Sequence, residues 1–261
     1  MNTPQIFAHR GGGGVRPENT LAAFRHAVHL GVDGLELDVH LTRDGVPVIS
    51  HDPSLDRTTN GAGAIAEQTW EYVRGLDAGY RWTRDGEVFP FRGRGITVPS
   101  LREFLDEGFE VTVSIDIKDH RPEAGAAVDE LLSEYDRRAQ TIVGSFSAKM
   151  VRAYRLRAPE APTAFTPGET LRLLAAAALG VGRRRRRGHH PPGPTSRYLM
   201  VPEFYQGLRV ISAKSIAHAH AAGVLVGAWT INDSEDMRRM AQLGVDMLIT
   251  DYPDVARELW L

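Results

Sequence analysis

Two carboxylates stand two residues apart in GLELDVHL, at Glu36 and Asp38, and in an extended chain that spacing puts both on one face. Acids so close repel each other unless protons or a cation relieve them, and their hard oxygens suit Mg²⁺ or Ca²⁺, with Mn²⁺ a third candidate. The stretch VSIDIK repeats the spacing with Asp116 and Lys118, adding a third carboxylate and a cation. A single acid at a strand end is ordinarily solvated or salt-bridged. Three beside a lysine read as a metal site.

His9 in AHRGGGGVRPENT and His51 in PVISHD each close a strand-like run. Imidazoles titrate near neutral pH, so the pair suits a general base and a general acid. Arg10 and Lys118 suit phosphate oxygens, the first as a bidentate fork and the second as a point charge. Trp229, at the tip of VGAW, fits either a wall for a substrate's carbon skeleton or simple packing. His26, His29, His218 and His220 fall on helical segments and read as packed or solvated. His40 shares the parity of the two acids but lies further along the strand, and it reads the same way. The glycine run after Arg10 is weak as a phosphate signal by itself, and Glu18-Asn19-Thr20 reads as the start of a helix.

The elements that position these residues alternate throughout. Eight apolar, β-rich runs (PQIFAH, DGLELDV, EVTVSIDIK, TIVGSF, TAFT, YLMVP, VLVGAW and DMLITDY) are separated by helical stretches, several of which open on Ser, Asn or Asp and close on Gly. Eight such units with near-continuous apolar strands predict an α/β fold, a (β/α)₈ TIM barrel over residues 1–261. A doubly wound open sheet is the alternative. Residues 53–98, rich in Gly, Arg and aromatics, fit no βα unit. Because they follow a strand, they are expected at the catalytic end as a cap.

The 261 residues are 42% hydrophobic and 25% charged, the mix of a soluble globular chain, and the net charge of −2 gives no global pull toward nucleic acid or anionic membrane. The absence of cysteine excludes disulfides, zinc-thiolate sites and cysteine nucleophiles. No apolar run is long enough to span a bilayer and no leader is evident, so stable membrane insertion is not expected and a cytoplasmic location is. The run Arg183–Arg187 lies between a helix and a strand, hence at the end of a barrel opposite the site, and reads as a solvated loop. The sequence leaves the oligomeric state open.

The stretches AHRGGGGVRPENT, ELDVHLTRDGVPVISHDPSLDRTT, SIDIK, LMVP, AWTIND and GVDMLITDYPD, in this order, resemble the glycerophosphodiester phosphodiesterases. The resemblance spans nearly the whole chain. It implies a TIM barrel that uses a divalent metal to hydrolyse glycerophosphodiesters to sn-glycerol 3-phosphate and an alcohol. It also implies that Glu36, Asp38 and Asp116 hold the metal, that His9 and His51 are the acid-base pair, that Arg10 and Lys118 bind the phosphate, and that Trp229 walls the pocket. The nucleophile it suggests is the neighbouring glycerol hydroxyl, through a cyclic phosphate. Three positions depart from the family pattern: Asp116, where Glu is more frequent, Arg43, where Lys is common, and Met200, where Gln is usual. Rival readings are a lysophospholipase D acting on lysophospholipids at a membrane surface, and a barrel that binds phosphodiesters without turnover.

Overall fold

Residues 3–180 and 196–260 are described in the computed structural model, so the Arg183–Arg187 run lies outside the described residues. The eight apolar runs form eight parallel strands: β1 (Gln5–Ala8), β2 (Gly34–Leu41), β4 (Thr112–Ile117), β5 (Thr141–Gly144), β6 (Thr163–Ala164), β7 (Ser196–Pro202), β10 (Leu225–Trp229) and β11 (Met247–Thr250). They pair in the order β1-β11-β10-β7-β6-β5-β4-β2, and β2 returns to β1 with Phe7 opposite Gly34 and Ala8 opposite Leu35. The sheet therefore closes into the expected barrel, not an open doubly wound sheet.

Alternation along the strands sorts their residues between two cores. Ile6, Leu35, Leu37, Ile115 and Val226 face outward into the layer of helices, whereas Phe7, Ile142, Ala164, Met247 and Ile249 fill the barrel interior. At Gly34 a Cβ would lie 2.3 Å from the Phe7 ring, so the bare backbone there is what lets Phe7 fill the interior. Met200 also lines the interior, where its sulfur would meet a Cβ on Gly227 at 2.6 Å.

Helices α1 (Leu21–His29), α3 (Leu101–Asp106), α4 (Pro122–Glu134), α5 (Ala148–Arg157), α6 (Pro167–Leu179), α7 (Ala213–Ala221), α8 (Ser234–Leu243) and α9 (Pro253–Glu258) follow the barrel strands in turn. Their starts are set by side-chain caps. Thr20 accepts from the Ala23 amide, and Ser100 with Glu103 and Thr166 with Glu169 form capping boxes. No described helix is long and apolar enough to cross a membrane.

The short strand β3 (Pro47–Ile49) turns back antiparallel on β2, pairing Val39 with Ile49. Residues 53–98 then run between β3 and α3, with a 3-10 turn at Ile65–Glu67 and one short α-helix, α2 (Trp70–Val73). Leu55, Ile65, Val73, Leu76, Ala78 and Val98 give this segment a small buried cluster separate from the barrel cores. A hairpin, β8 (Phe204–Tyr205) and β9 (Leu208–Arg209), follows β7.

Candidate active site at the carboxyl ends of the strands

The turn after β1 reverses sharply. Arg10 takes φ 52°, and Gly11 and Gly12 follow at 79° and 92°. A Cβ on Gly11 would meet the Ala23 side chain at 2.8 Å, so the glycine both permits the left-handed turn and lets it lie on α1. This geometry aims the Arg10 amide at Glu36 Oε2, to which it donates at 3.0 Å.

The strand register brings the three acids together. Asp38 lies opposite Asp116 across β2 and β4, with Glu36 one inward step earlier. The Lys118 ammonium reaches Asp116 at 2.6 Å and Asp38 at 3.2 Å, while Arg10 Nε stands 3.4 Å from the other Asp38 oxygen. Asn19 donates to that same oxygen at 3.0 Å. Asp38 is buried, which alone would raise its carboxyl, yet Lys118, Arg10 and the Asn19 amide hold it below the usual range. Glu36 has no such cover: burial and the neighbouring Asp38 charge push it up to about 7. Burial likewise raises Asp116, whose Oδ1 is buried without a hydrogen-bond partner.

Those features fit a bound cation in donor type. Three hard carboxylates, one held up by its neighbour's charge and one with an orphaned oxygen, are of the donor type that a divalent ion takes. Among the described residues, no three His, Asp or Glu side chains are drawn together tightly enough to form a closed cluster. The Lys118 ammonium lies between two of the acids and supplies positive charge there.

Both predicted histidines reach this mouth, each with a carboxylate on Nδ1. His9 Nδ1 lies 2.7 Å from Asp251 Oδ1, whose second oxygen accepts from Asn232 at 2.7 Å, and His9 Nε2 stands 3.8 Å from Glu36. Burial would lower the His9 imidazole, but the Glu36 and Asp251 charges outweigh it and raise it. His51 Nδ1 lies 2.7 Å from Asp52 Oδ1. Asp52 is held at about 2, chiefly by its hydrogen bonds with Arg57. Arg57 also grips Glu18 through two bonds of 2.7 and 2.8 Å, and Glu18 in turn accepts from Arg10 at 2.9 Å. A chain of alternating charge thus links the glycine turn to the His51 loop.

Trp229 ends β10 half-buried, edge-on to Phe146 with ring centroids 6.2 Å apart, and the Lys118 ammonium lies 5.6 Å from the Phe146 ring. All eight predicted site residues therefore gather at one end of the barrel.

Several participants were not singled out from the sequence. Asp251, Asp52, Glu18 and Asn19 contact the predicted set, and Arg57 reaches it through Asp52 and Glu18. Glu18-Asn19-Thr20 does begin α1, with Thr20 as its cap, but the two residues before the cap also hold Arg10 and Asp38. His40, read as packed, is buried and its Nε2 lies 3.1 Å from the His51 carbonyl, so it fixes the backbone that carries His51. The acid after HIS in HD and the strand-end acid in MLITD were the available signals.

A profile of the glycerophosphoryl diester phosphodiesterase family matches residues 9–255. A glycerophosphodiester phosphodiesterase of Caldanaerobacter subterraneus is 34% identical over 263 residues, covering 95% of this chain and 94% of that protein. A lysophospholipase D of Homo sapiens is 29% identical over 270 residues, covering 97% and 84%. Among solved structures, an Oleispira antarctica phosphodiesterase in complex with the product sn-glycerol-3-phosphate superposes with a TM-score of 0.76 at 27% identity, covering 98% of this chain and 96% of that one.

Proposed function

The chain belongs to the glycerophosphoryl diester phosphodiesterase family, and from that premise we propose that it hydrolyses glycerophosphodiesters to sn-glycerol 3-phosphate and an alcohol, with His9 and His51 as the proton-transfer pair. The observation that carries this reading is the pairing of each imidazole with a carboxylate at 2.7 Å, on either side of the Glu36, Asp38, Asp116 and Lys118 cluster. A barrel that only bound phosphodiesters would need no such proton-transfer pair.

In this reading a phosphodiester lies across the mouth, with its non-bridging oxygens toward Arg10 and Lys118. One imidazole removes the proton of the neighbouring glycerol hydroxyl as its oxygen bonds to phosphorus, closing a cyclic phosphate whose ring water then opens to sn-glycerol 3-phosphate. The other protonates the alcohol oxygen as its bond to phosphorus breaks, so no alkoxide is released into water. Asp251 and Asp52 hold the rings in one tautomer and offset the positive charge each ring carries while protonated. Glu36, Asp38 and Asp116 are the residues that would hold a divalent ion, Ca²⁺, Mg²⁺ or Mn²⁺. When bound, the ion supplies charge stabilisation to the phosphoryl oxygens. Trp229 and Phe146 give the pocket an apolar wall for the substrate's carbon chain. Residues 53–98 cap the mouth of a single barrel domain, tied down by the Arg57 clamp on Glu18 and Asp52 and by the Trp82 indole, which donates to the Gly13 carbonyl at 2.9 Å.

The test is hydrolysis of glycerophosphocholine and lysophosphatidylcholine by metal-stripped protein, with and without each ion, following both products. Ion-dependent release of glycerol 3-phosphate from the first substrate is the expected result. Turnover of the lipid alone would move the function to the lysophospholipase D class of the human relative, and no turnover on either would reject hydrolysis.

A further inference from the structure

Between the glycine turn and the inserted segment lies a cleft of about 340 Å³, walled by Val15, Arg16, Trp82, Arg84, Val88 and Phe91. It lies outside the acid and imidazole cluster but is joined to it through the backbone. The Trp82 indole is bonded to the Gly13 carbonyl, and the Gly13 amide donates to the His9 carbonyl at 3.2 Å. The cleft and the imidazole of His9 thus share the glycine turn.

The polar character of the cleft is cationic. The Arg16 guanidinium lies 5.4 Å from the Phe91 ring centroid, and that of Arg84 lies 5.9 Å from Trp82. Neither forms an ion pair among the described residues, unlike Arg10 and Arg57, which carboxylates hold. Arg16 donates to the Val15 carbonyl at 3.1 Å. The one acid on the rim, Asp85, is turned into its own loop. Its Oδ1 accepts from the Val88 and Glu87 amides at 2.8 and 2.9 Å and from the Thr83 hydroxyl at 3.0 Å. Two guanidinium groups beside aromatic rings, with edges no carboxylate claims among the described residues, suit a planar or tetrahedral anion.

A phosphodiester brings two arms to the site. Its glycerol arm is neutral and calls for hydroxyl partners, so an anion-binding cleft has no use for it. A quaternary ammonium would meet the positive charges of Arg16 and Arg84, which lie 5.4 and 5.9 Å from the Phe91 and Trp82 ring centroids. We propose that this cleft receives the leaving alcohol and selects glycerophosphodiesters whose alcohol carries a second anionic group, gripped between Arg16 and Arg84. The inference rests on the phosphodiester hydrolysis proposed above and names the substrate class for it.

Glycerophosphoinositol 4-phosphate and glycerophosphoinositol form a matched pair that differs by one phosphate, with glycerophosphocholine as a third substrate. The wild-type protein should favour the phosphorylated member in kcat/KM by about tenfold, a preference that shrinks as salt is added. In the R16Q/R84Q variant the ratio between the pair should fall to about one, whereas R16K/R84K, which keeps the charges, should retain part of it. A wild-type ratio at or below one, or a ratio unchanged in R16Q/R84Q, overturns the inference while leaving hydrolysis intact. Failure to hydrolyse any of the three rejects the hydrolytic reading and this inference with it.

Discussion

At the scale of single residues, the site rests on two imidazoles whose partners differ in how far they come along the chain. Asp52 follows His51 directly, whereas Asp251 meets His9 across 242 positions, a contact that exists only because β11 lies beside β1. Replacing either histidine by Ala should cut kcat by about 10²- to 10⁴-fold, with divalent-ion binding by calorimetry retained because neither ring is placed among the ion's ligands. Loss of ion binding in H9A or H51A would reject the acid-base assignment. Asp251→Asn should cost about 10²-fold or more through the wrong tautomer, although the amide is nearly the same shape. An activity close to wild type in D251N would mean that Asp251 only fills space. The histidines and acids were legible in the sequence because residue type and strand parity are local properties. Asp251 was not, since its role depends on barrel closure, and Glu18 and Asn19 were hidden by their position in a ready-made helix start.

At the scale of elements, alternation of strand and helix was readable throughout, because apolar runs and cap residues are set by neighbours in the chain. The inserted segment was recognisable only as a break in the pattern, since its small core forms from scattered residues with no period. What ties strand ends together was equally out of reach. Asp119, just beyond β4, accepts from the Leu41 amide at the end of β2 at 3.0 Å, and Arg121 bonds both Asp119 and the Leu41 and Thr42 carbonyls. That clasp joins the two strands that carry Asp38 and Asp116. Burial alone would raise Asp119, but the Arg121 and Leu41 bonds prevail and hold it at about 2. Its folded value lies below the unfolded value of about 3.9, so its stabilisation is complete above roughly pH 4. It is lost as pH falls through about 2. Asp119→Asn should therefore destabilise the protein by about 2 kcal/mol near neutral pH, with the gap in unfolding midpoint closing in acid. A gap that persists unchanged at pH 2 would show that the carboxylate charge is not its source. The Arg57 clamp is more exposed, and R57A should alter stability by less than about 1 kcal/mol. Its effect should appear instead as a lower kcat, because Asp52 loses the cation that fixes it beneath His51.

At the scale of the whole molecule, the mouth collects charge from distant parts of one closed sheet, so what binds there is coupled to the stability of the barrel. Lys118 and Arg10 lie against Asp38, and Lys118 against Asp116, so the metal-stripped chain is expected to stay folded, unlike a zinc finger. Glu36 is the acid left without a cation of its own, and it stands beside His9 on the strand that closes the barrel against β1. An ion held by Glu36, Asp38 and Asp116 favours the folded state because the unfolded chain has no such site. At a free concentration 100 times its Kd it should add about 2.7 kcal/mol. For a chain of this size that corresponds to a rise in Tm of roughly 5 to 10 °C. Thermal unfolding of metal-stripped protein, titrated separately with Ca²⁺, Mg²⁺ and Mn²⁺, measures this directly and ranks the ions. The E36Q/D38N variant should unfold at the same temperature with and without the ion, even if the loss of carboxylate repulsion makes it more stable than the stripped wild type. A rise that survives in this variant would place the ion elsewhere, and the absence of a rise for every ion in the wild type would leave Lys118 and Arg10 as the site's only positive charges.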